Sequence, residues 1–117
     1  MVANVPITLQ ELDGGVTVAT LLGRIDVAGA QEIDMPMNVI AGSRRAVVVD
    51  LSQVEFLASM GIRSIVLAAK TITRKRGACT LVAPPGEVRM VIESSGIDTI
   101  IPTFDTLAEA IRAVMPG

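Results

Sequence analysis

The stretch best placed to do chemistry runs from Val54 to Gly61 and reads V-E-F-L-A-S-M-G. It joins a strand-like apolar segment to a helix-like one, and Ser59 is its only hydroxyl. A phosphate on a serine at a helix start would meet free backbone amides and the favourable end of the helix dipole. It would also add about −1.5 to −2 charges to the surface. Ser59 is therefore a candidate phosphorylation site, although a simple helix-capping serine is the plainer alternative.

The composition argues against most catalytic chemistries. The chain has no histidine, which removes ordinary Ser-His-Asp and Cys-His catalysis and His-based metal sites. Its one cysteine, Cys79, is too few for a thiolate zinc site and falls in an apolar run where an inert core thiol is expected. Gly61 indicates a close backbone approach, because glycine is costly inside a helix. We expect no enzymatic activity, no metal and no cofactor.

A basic segment follows the Ser59 junction. Residues 60–76 carry five basic side chains and no acidic one. One stripe at helical spacing contains Arg63, Leu67, Lys70 and Arg74. This stripe is either a solvated face or a docking surface for an acidic protein. Nucleic acid is the weaker partner, since no aromatic residues accompany the bases and the chain has a net charge of −2. The predicted partner-binding residues are Leu57, Ala58, Met60, Gly61, Arg63, Leu67, Lys70 and Arg74.

Length and composition predict one domain that spans residues 1–117, because a chain of this size with 50% hydrophobic residues can bury a core without disulfides. No stretch free of charged residues exceeds ten residues, and the N-terminus has no basic region followed by an apolar run. We therefore expect a cytoplasmic protein that does not bind membranes. The single cysteine fits a reducing compartment.

The hydrophobic pattern predicts the element order β-β-α-β-α-β-α-(β)-α, an α/β fold with a mixed four- to five-stranded sheet and about four helices. Residues 5–12 and 16–22 should form a hairpin, followed by buried strands at 46–51 and 79–83. Ile100-Ile101 is predicted as a short edge strand or an extended connector.

Capping signals predict where the helices begin and end. Asp26 should cap the first helix, in which Pro36 predicts a kink near residues 32–36 or a late start. The second helix should run to about Arg76. Gly96 is placed for a left-handed C-terminal cap, and Thr106 opens a capping box before the last helix.

Five segments of the chain, in order, resemble a STAS domain of the bacterial anti-sigma factor antagonist type. The matching segments are G-R-I-D at 23–26, V-V-V-D-L-S-Q-V-E-F at 47–56, A-S-M-G-I at 58–62, E-S-S-G-I at 93–97 and T-L-A-E-A-I at 106–111. The resemblance covers nearly the whole chain.

The resemblance implies a regulator that works by reversible protein binding. In that family the loop before the second helix commonly reads Asp-Ser-Ser/Thr-Gly, and a partner serine kinase, which is itself the anti-sigma factor, phosphorylates one hydroxyl there. The unphosphorylated antagonist binds this partner and frees the sigma factor, whereas phosphorylation releases the antagonist. Aligned on Gly61, Ser59 takes the phosphoacceptor position. Ala58 stands where an acidic residue is usual, and Met60 where a small polar residue is frequent.

The resemblance implies two partners, an anti-sigma factor/serine kinase and a serine phosphatase, and a protein that is itself a monomer or weak homodimer. Two alternatives stay open. Ala58 favours a non-switching scaffold or stressosome-like interaction module. A small-molecule or lipid-sensing domain could use the sheet-end loops, for example at residues 84–86.

Overall fold

The structure is a computed structural model that describes residues 6–115, so Val5, the first residue of the predicted hairpin, lies outside the described residues. The elements follow the predicted order, which is confirmed. They are β1 Ile7–Leu12, β2 Val16–Ile25, α1 Val27–Ser43, β3 Ala46–Leu57, α2 Ser59–Arg74, β4 Ala78–Val82, α3 Glu87–Ser95, a 3-10 turn Ile97–Thr99, β5 Thr103–Phe104 and α4 Leu107–Val114.

The strands form one mixed sheet in the order β1-β2-β3-β4-β5. The pair β1–β2 is the antiparallel hairpin, and the other neighbours are parallel. Gly14 and Gly15 both have left-handed φ values in the hairpin turn, +87° and +85°, which glycine adopts without steric cost. The predicted α/β fold with a mixed sheet is therefore confirmed.

Helices cover the two faces of the sheet unequally. Helices α1, α2 and α3 pack on one face, where Val47, Val49 and Leu51 of β3 are fully buried in the larger core cluster. Helix α4 packs alone on the other face, over Val48 and neighbouring small residues of β2 and β3. Burial on both faces explains why β3 begins as a continuous apolar run rather than an alternating one.

Helix α1 begins where the capping signal placed it. The Asp26 carboxylate accepts a hydrogen bond of 2.9 Å from the Gly29 N–H. The helix then continues through Pro36 to Ser43, so the predicted late start is wrong. The buried side chains of Ile33 and Met37 hold this part of the helix on the sheet, and this packing offsets the hydrogen bond that a proline removes.

Strand β3 is twice as long as the sequence predicts. It runs to Leu57 instead of ending at Leu51, because the second half of β2 continues to pair with it as far as Ile25↔Leu57. The Arg24 guanidinium lies 4.5 Å from the centroid of the Phe56 ring, across these two strands. Ala58 is therefore the one residue between β3 and α2.

The segment after α2 shows two further differences. Helix α2 ends at Arg74 rather than Arg76, and Arg76 itself takes a left-handed φ of 67°. The edge strand lies at Thr103–Phe104, so the prediction of a strand or extended connector at Ile100-Ile101 is wrong. Ile97–Thr99 instead turns as a 3-10 helix, which brings the Pro102 carbonyl to the Leu81 N–H at 2.9 Å.

Candidate functional site

Ser59 is the first residue of α2, and it is exposed. The capping position belongs to Ala58, whose side chain makes no capping hydrogen bond, so the alternative interpretation of Ser59 as the N-cap is wrong. The Ala58 N–H donates to the Ile25 carbonyl at 2.9 Å, which ties the start of α2 to the end of β2. Within residues 6–115 the Ser59 hydroxyl makes no hydrogen bond and is open to solvent and to other molecules.

The backbone around Ser59 offers donors without acceptors. The N–H groups of Gly61 and Ile62 both point to the Ala58 carbonyl, at 3.0 and 3.1 Å. The N–H groups of Ser59 and Met60 have no partner among the described residues. The first turn of α2 also contains no acidic side chain. This helix start is therefore electrostatically suited to an anionic group on the neighbouring hydroxyl.

Gly61 fixes the helix start against the sheet. A Cβ atom on Gly61 would lie 2.6 Å from Cγ2 of Ile25 and 3.0 Å from Cδ1 of Leu57. The predicted close backbone approach is thus confirmed. Leu57 and Gly61 are both buried, so they lie beneath the surface that carries Ser59 and do not form part of it.

A polar contact holds α2 against α1 one turn further along. Ser64 is buried, and its hydroxyl donates to the carboxylate of Asp34 on α1. The same hydroxyl lies 3.3 Å from the Met60 carbonyl. Together with the contact at Gly61, this bond fixes the orientation of the residues around Ser59.

The outer face of α2 matches the predicted stripe. Met60 and Leu67 are 45% and 50% exposed. Arg63, Lys70 and Arg74 are also exposed, and none has a carboxylate partner within the part of the chain that the structure describes. Ala58 is half-buried at the end of this face. An uncompensated cationic stripe with an apolar residue in its middle is suited to an acidic protein surface.

A groove between α2 and α3 lies beside Ser59, and the sequence did not reveal it. Its volume is about 540 Å³, and α3 contributes the exposed side chains of Met90 and Val91 to it. Met90 is 64% exposed, and Val91 is 37% exposed. The signal for this groove in the sequence is the adjacent apolar pair Met90-Val91 in a short helical segment. The groove is lined by Ser59, Ile62, Glu87, Met90, Val91, Ser94 and Ser95.

Two other sequence-predicted positions do not line the groove beside Ser59. Burial raises the pKa of the Cys79 thiol to about 12, as expected of an inert core residue. The sheet-end loop at residues 84–86 borders a cavity of about 370 Å³ between β3 and the start of α3. Among residues 6–115, no group of three or more His, Cys, Asp or Glu residues could hold a metal ion. No helix in this range is long and apolar enough to span a bilayer.

Comparisons with known proteins agree on one family. The family model described as "STAS domain" matches residues 8–110. The anti-sigma-F factor antagonist RsfB of Mycobacterium tuberculosis is 33% identical over 106 residues, covering 88% of this chain and 84% of that protein. BtrV of Bordetella bronchiseptica is 30% identical over 115 residues, which cover 94% of this chain and 97% of that protein. The crystal structure of an anti-sigma factor antagonist from Mycobacterium paratuberculosis superposes with a TM-score of 0.85 at 32% sequence identity. The superposition covers 94% of this chain and 93% of that one.

Proposed function

Because the chain belongs to the STAS domain family, we propose that it is an anti-sigma factor antagonist: a binding protein rather than an enzyme, with phosphorylation of Ser59 as its control. The observation that carries this proposal is the exposed, unbonded Ser59 hydroxyl at a helix start with free amides. Relatives that carry the antagonist name match over most of their length. In this proposal the protein is a single domain in the cytoplasm, a monomer or weak homodimer.

The partner is an anti-sigma factor that is also a serine kinase, and it docks on the surface around Ser59. We call this surface the docking face, and it consists of Ala58, Ser59, Met60, Arg63 and Leu67 on α2 with Met90 and Val91 on α3. Its exposed apolar side chains supply buried area on binding, and Arg63 supplies charge complementarity. Lys70 and Arg74 lie further along the same stripe, and their part in partner binding is a prediction.

A phosphate on Ser59 would act on this surface in two ways. It would be stabilised by the free N–H groups of Ser59 and Met60, and Arg63 lies at i+4, where it can pair with the phosphate. It would also place about −1.5 to −2 charges beside an apolar groove that already contains Glu87. A partner surface that is complementary to the unmodified docking face would then either be repelled by the phosphate or have to remove its hydrating water at a cost in binding free energy. Phosphorylation therefore releases the partner, and a serine phosphatase restores binding.

The test is phosphorylation of the purified chain by the cognate kinase, followed by intact mass measurement and fragmentation. We expect one added phosphate on Ser59 and none in Ser59→Ala. Ser94 lies in the same groove and is also exposed, so Ser94→Ala is the matched control and should accept phosphate like the wild type. Phosphate on Ser94 or Ser95 instead of Ser59 would refute the assignment of the switch residue.

A non-switching scaffold is the second candidate, and the alanine cap favours it. Ala58 has no carboxylate that could orient the Ser59 hydroxyl towards a kinase. In that case the chain binds its partner through the same docking face but is never phosphorylated. Unmodified protein, isolated from its host when the pathway is silent, together with retained partner binding would support the scaffold over the switch.

A further inference from the structure

A groove opens along the outer edge of β4, away from the docking face. Strand β5 has two residues and pairs with Leu81 and Val82, so within residues 6–115 no strand covers the edge of β4 from Ala78 to Thr80. Helix α2, helix α4 and residues 100–102 surround this uncovered edge. The resulting cavity measures about 590 Å³, within the range of pockets that take small ligands.

The walls of the groove are apolar. Ile100, Ile101, Pro102, Ala69 and Ala113 line it, and Ile100 is 57% exposed. Two threonines also line it, but their hydroxyls already donate within the protein. Thr73 donates to the Ala69 carbonyl at 2.8 Å, and Thr80 to the Ala110 carbonyl at 3.0 Å. These hydroxyls are therefore not free to donate to a ligand, and a polar contact would have to come from other side chains.

Two cationic side chains at the rim of the groove are available for a polar contact with a ligand. Lys70 and Arg74 are one helical turn apart on α2, and both line the groove. Neither has a carboxylate partner in residues 6–115, and the Arg74 guanidinium donates to the Thr71 hydroxyl at 3.2 Å. No acidic residue of the described part of the chain lines the groove. An anionic group is the complement of this rim.

The open strand edge distinguishes between ligand classes. The N–H groups of Leu81 and Ala83 donate towards β5, and strand alternation places the Cys79 N–H and carbonyl on that same side. Over residues 78–80 only Cys79 thus presents main-chain groups outward, which is too little for an added strand. An extended peptide would gain a single pair of backbone bonds, whereas an anion needs only a donor and the two cations.

We propose that this groove binds a small amphipathic carboxylate, with its apolar body on Ile100, Pro102 and Ala113 and its head between Lys70 and Arg74. Lys70 is eleven residues beyond Ser59, about 16 Å along the helix axis, so occupancy does not require the docking face. The proposal is independent of the anti-sigma factor function, and each can fail alone.

Octanoate is the probe, titrated into the ¹⁵N-labelled chain and followed by ¹H–¹⁵N NMR. We expect shifts at the amides of residues 78–80 and 100–101, and weaker binding of uncharged 1-octanol. Lys70→Gln/Arg74→Gln should weaken octanoate binding roughly tenfold, as expected for two partly exposed charge pairs. Arg63→Gln, a change of the same charge on the same helix, should leave it unchanged.

Ala113→Phe provides an independent test, because Ala113 is exposed on α4 and the larger ring would occupy the groove without entering the core. We expect it to abolish the octanoate shifts while the rest of the spectrum stays that of the folded chain. The proposal is overturned if octanol binds as well as octanoate, or if the shifts map to the α2–α3 groove. No binding at millimolar octanoate, or binding of a glutamate-containing pentapeptide alone, would also overturn it. So would an unaffected Lys70→Gln/Arg74→Gln variant.

Discussion

Gly61→Ala tests whether the start of α2 is fixed by close packing on the sheet. The added methyl would lie 2.6 Å from Cγ2 of Ile25 and 3.0 Å from Cδ1 of Leu57, and both side chains are buried. Overpacking of this kind costs about 1–3 kcal/mol. Replacing glycine by alanine in a helix returns roughly 0.5–1 kcal/mol. We therefore expect a net loss of about 1 kcal/mol in the free energy of unfolding.

Gly42→Ala is the matched control. Gly42 lies in the last turn of α1, is exposed, and has nothing within 4 Å of its ideal Cβ position. The same substitution there should raise the free energy of unfolding by up to about 1 kcal/mol, since only the helix preference changes.

Urea unfolding measures the difference between the two variants. They should differ by about 1.5–2 kcal/mol, which separates their midpoints by roughly 1 M at the slopes usual for small domains. If Gly61→Ala is as stable as Gly42→Ala, the side chains of Ile25 and Leu57 give way easily and Gly61 does not fix the helix start. A further consequence concerns Ser59. Gly61→Ala should slow its phosphorylation even below the urea transition, because the hydroxyl is displaced.

Three further outcomes are expected. Thr106→Ala should lower the free energy of unfolding by about 1 kcal/mol in urea, because the Thr106 hydroxyl accepts from the Glu109 N–H at 3.3 Å at the start of α4. The hydrogen bond and charge of Arg44 hold the pKa of Glu11 below its ordinary value, so this pair stabilises the fold above the ordinary pKa and its contribution is lost as pH falls through the lowered pKa. NMR titration of Glu11 should show this, and Arg44→Gln should return the pKa towards the ordinary value for glutamate. Cys79, buried and with a pKa raised to about 12, should react with a thiol reagent at pH 8 only after unfolding.

The sequence correctly predicted those structural features that depend on residues close together in the chain, such as helix caps. Asp26 and Thr106 accept hydrogen bonds from the first turns of their helices as predicted, and Gly96 ends α3 with a φ of +79°. Each of these involves residues within a few positions of one another. The order of strands and helices also followed from local periodicity, and with it the placement of Ser59 at the start of α2.

The features that the sequence did not predict depend on contacts between residues far apart in the chain. The two polar residues Ser52 and Gln53 interrupt the apolar run of β3 and read as its end, yet β2 pairs with the segment beyond them through register shifts near Leu22 and Gly23. The position of β5 likewise depends on where Pro102 meets Leu81, not on the apolar pair at Ile100-Ile101. The groove formed by Met90 and Val91 requires α3 to lie beside α2, and no local pattern contains that information.

The start of α2 lacks the side-chain cap that stabilises the first turn of most helices. An aspartate or serine at position 58 could accept from the free N–H of Met60, and Ala58 leaves that donor unsatisfied. Burial of Leu57, Gly61 and Ser64 stabilises the helix start in place of a cap. That donor thus stays available for a group that the chain itself does not contain. Ala58 therefore has two opposite effects on the proposed switch: it provides no carboxylate to orient the Ser59 hydroxyl towards a kinase, and it leaves the Met60 N–H free to bind a phosphate.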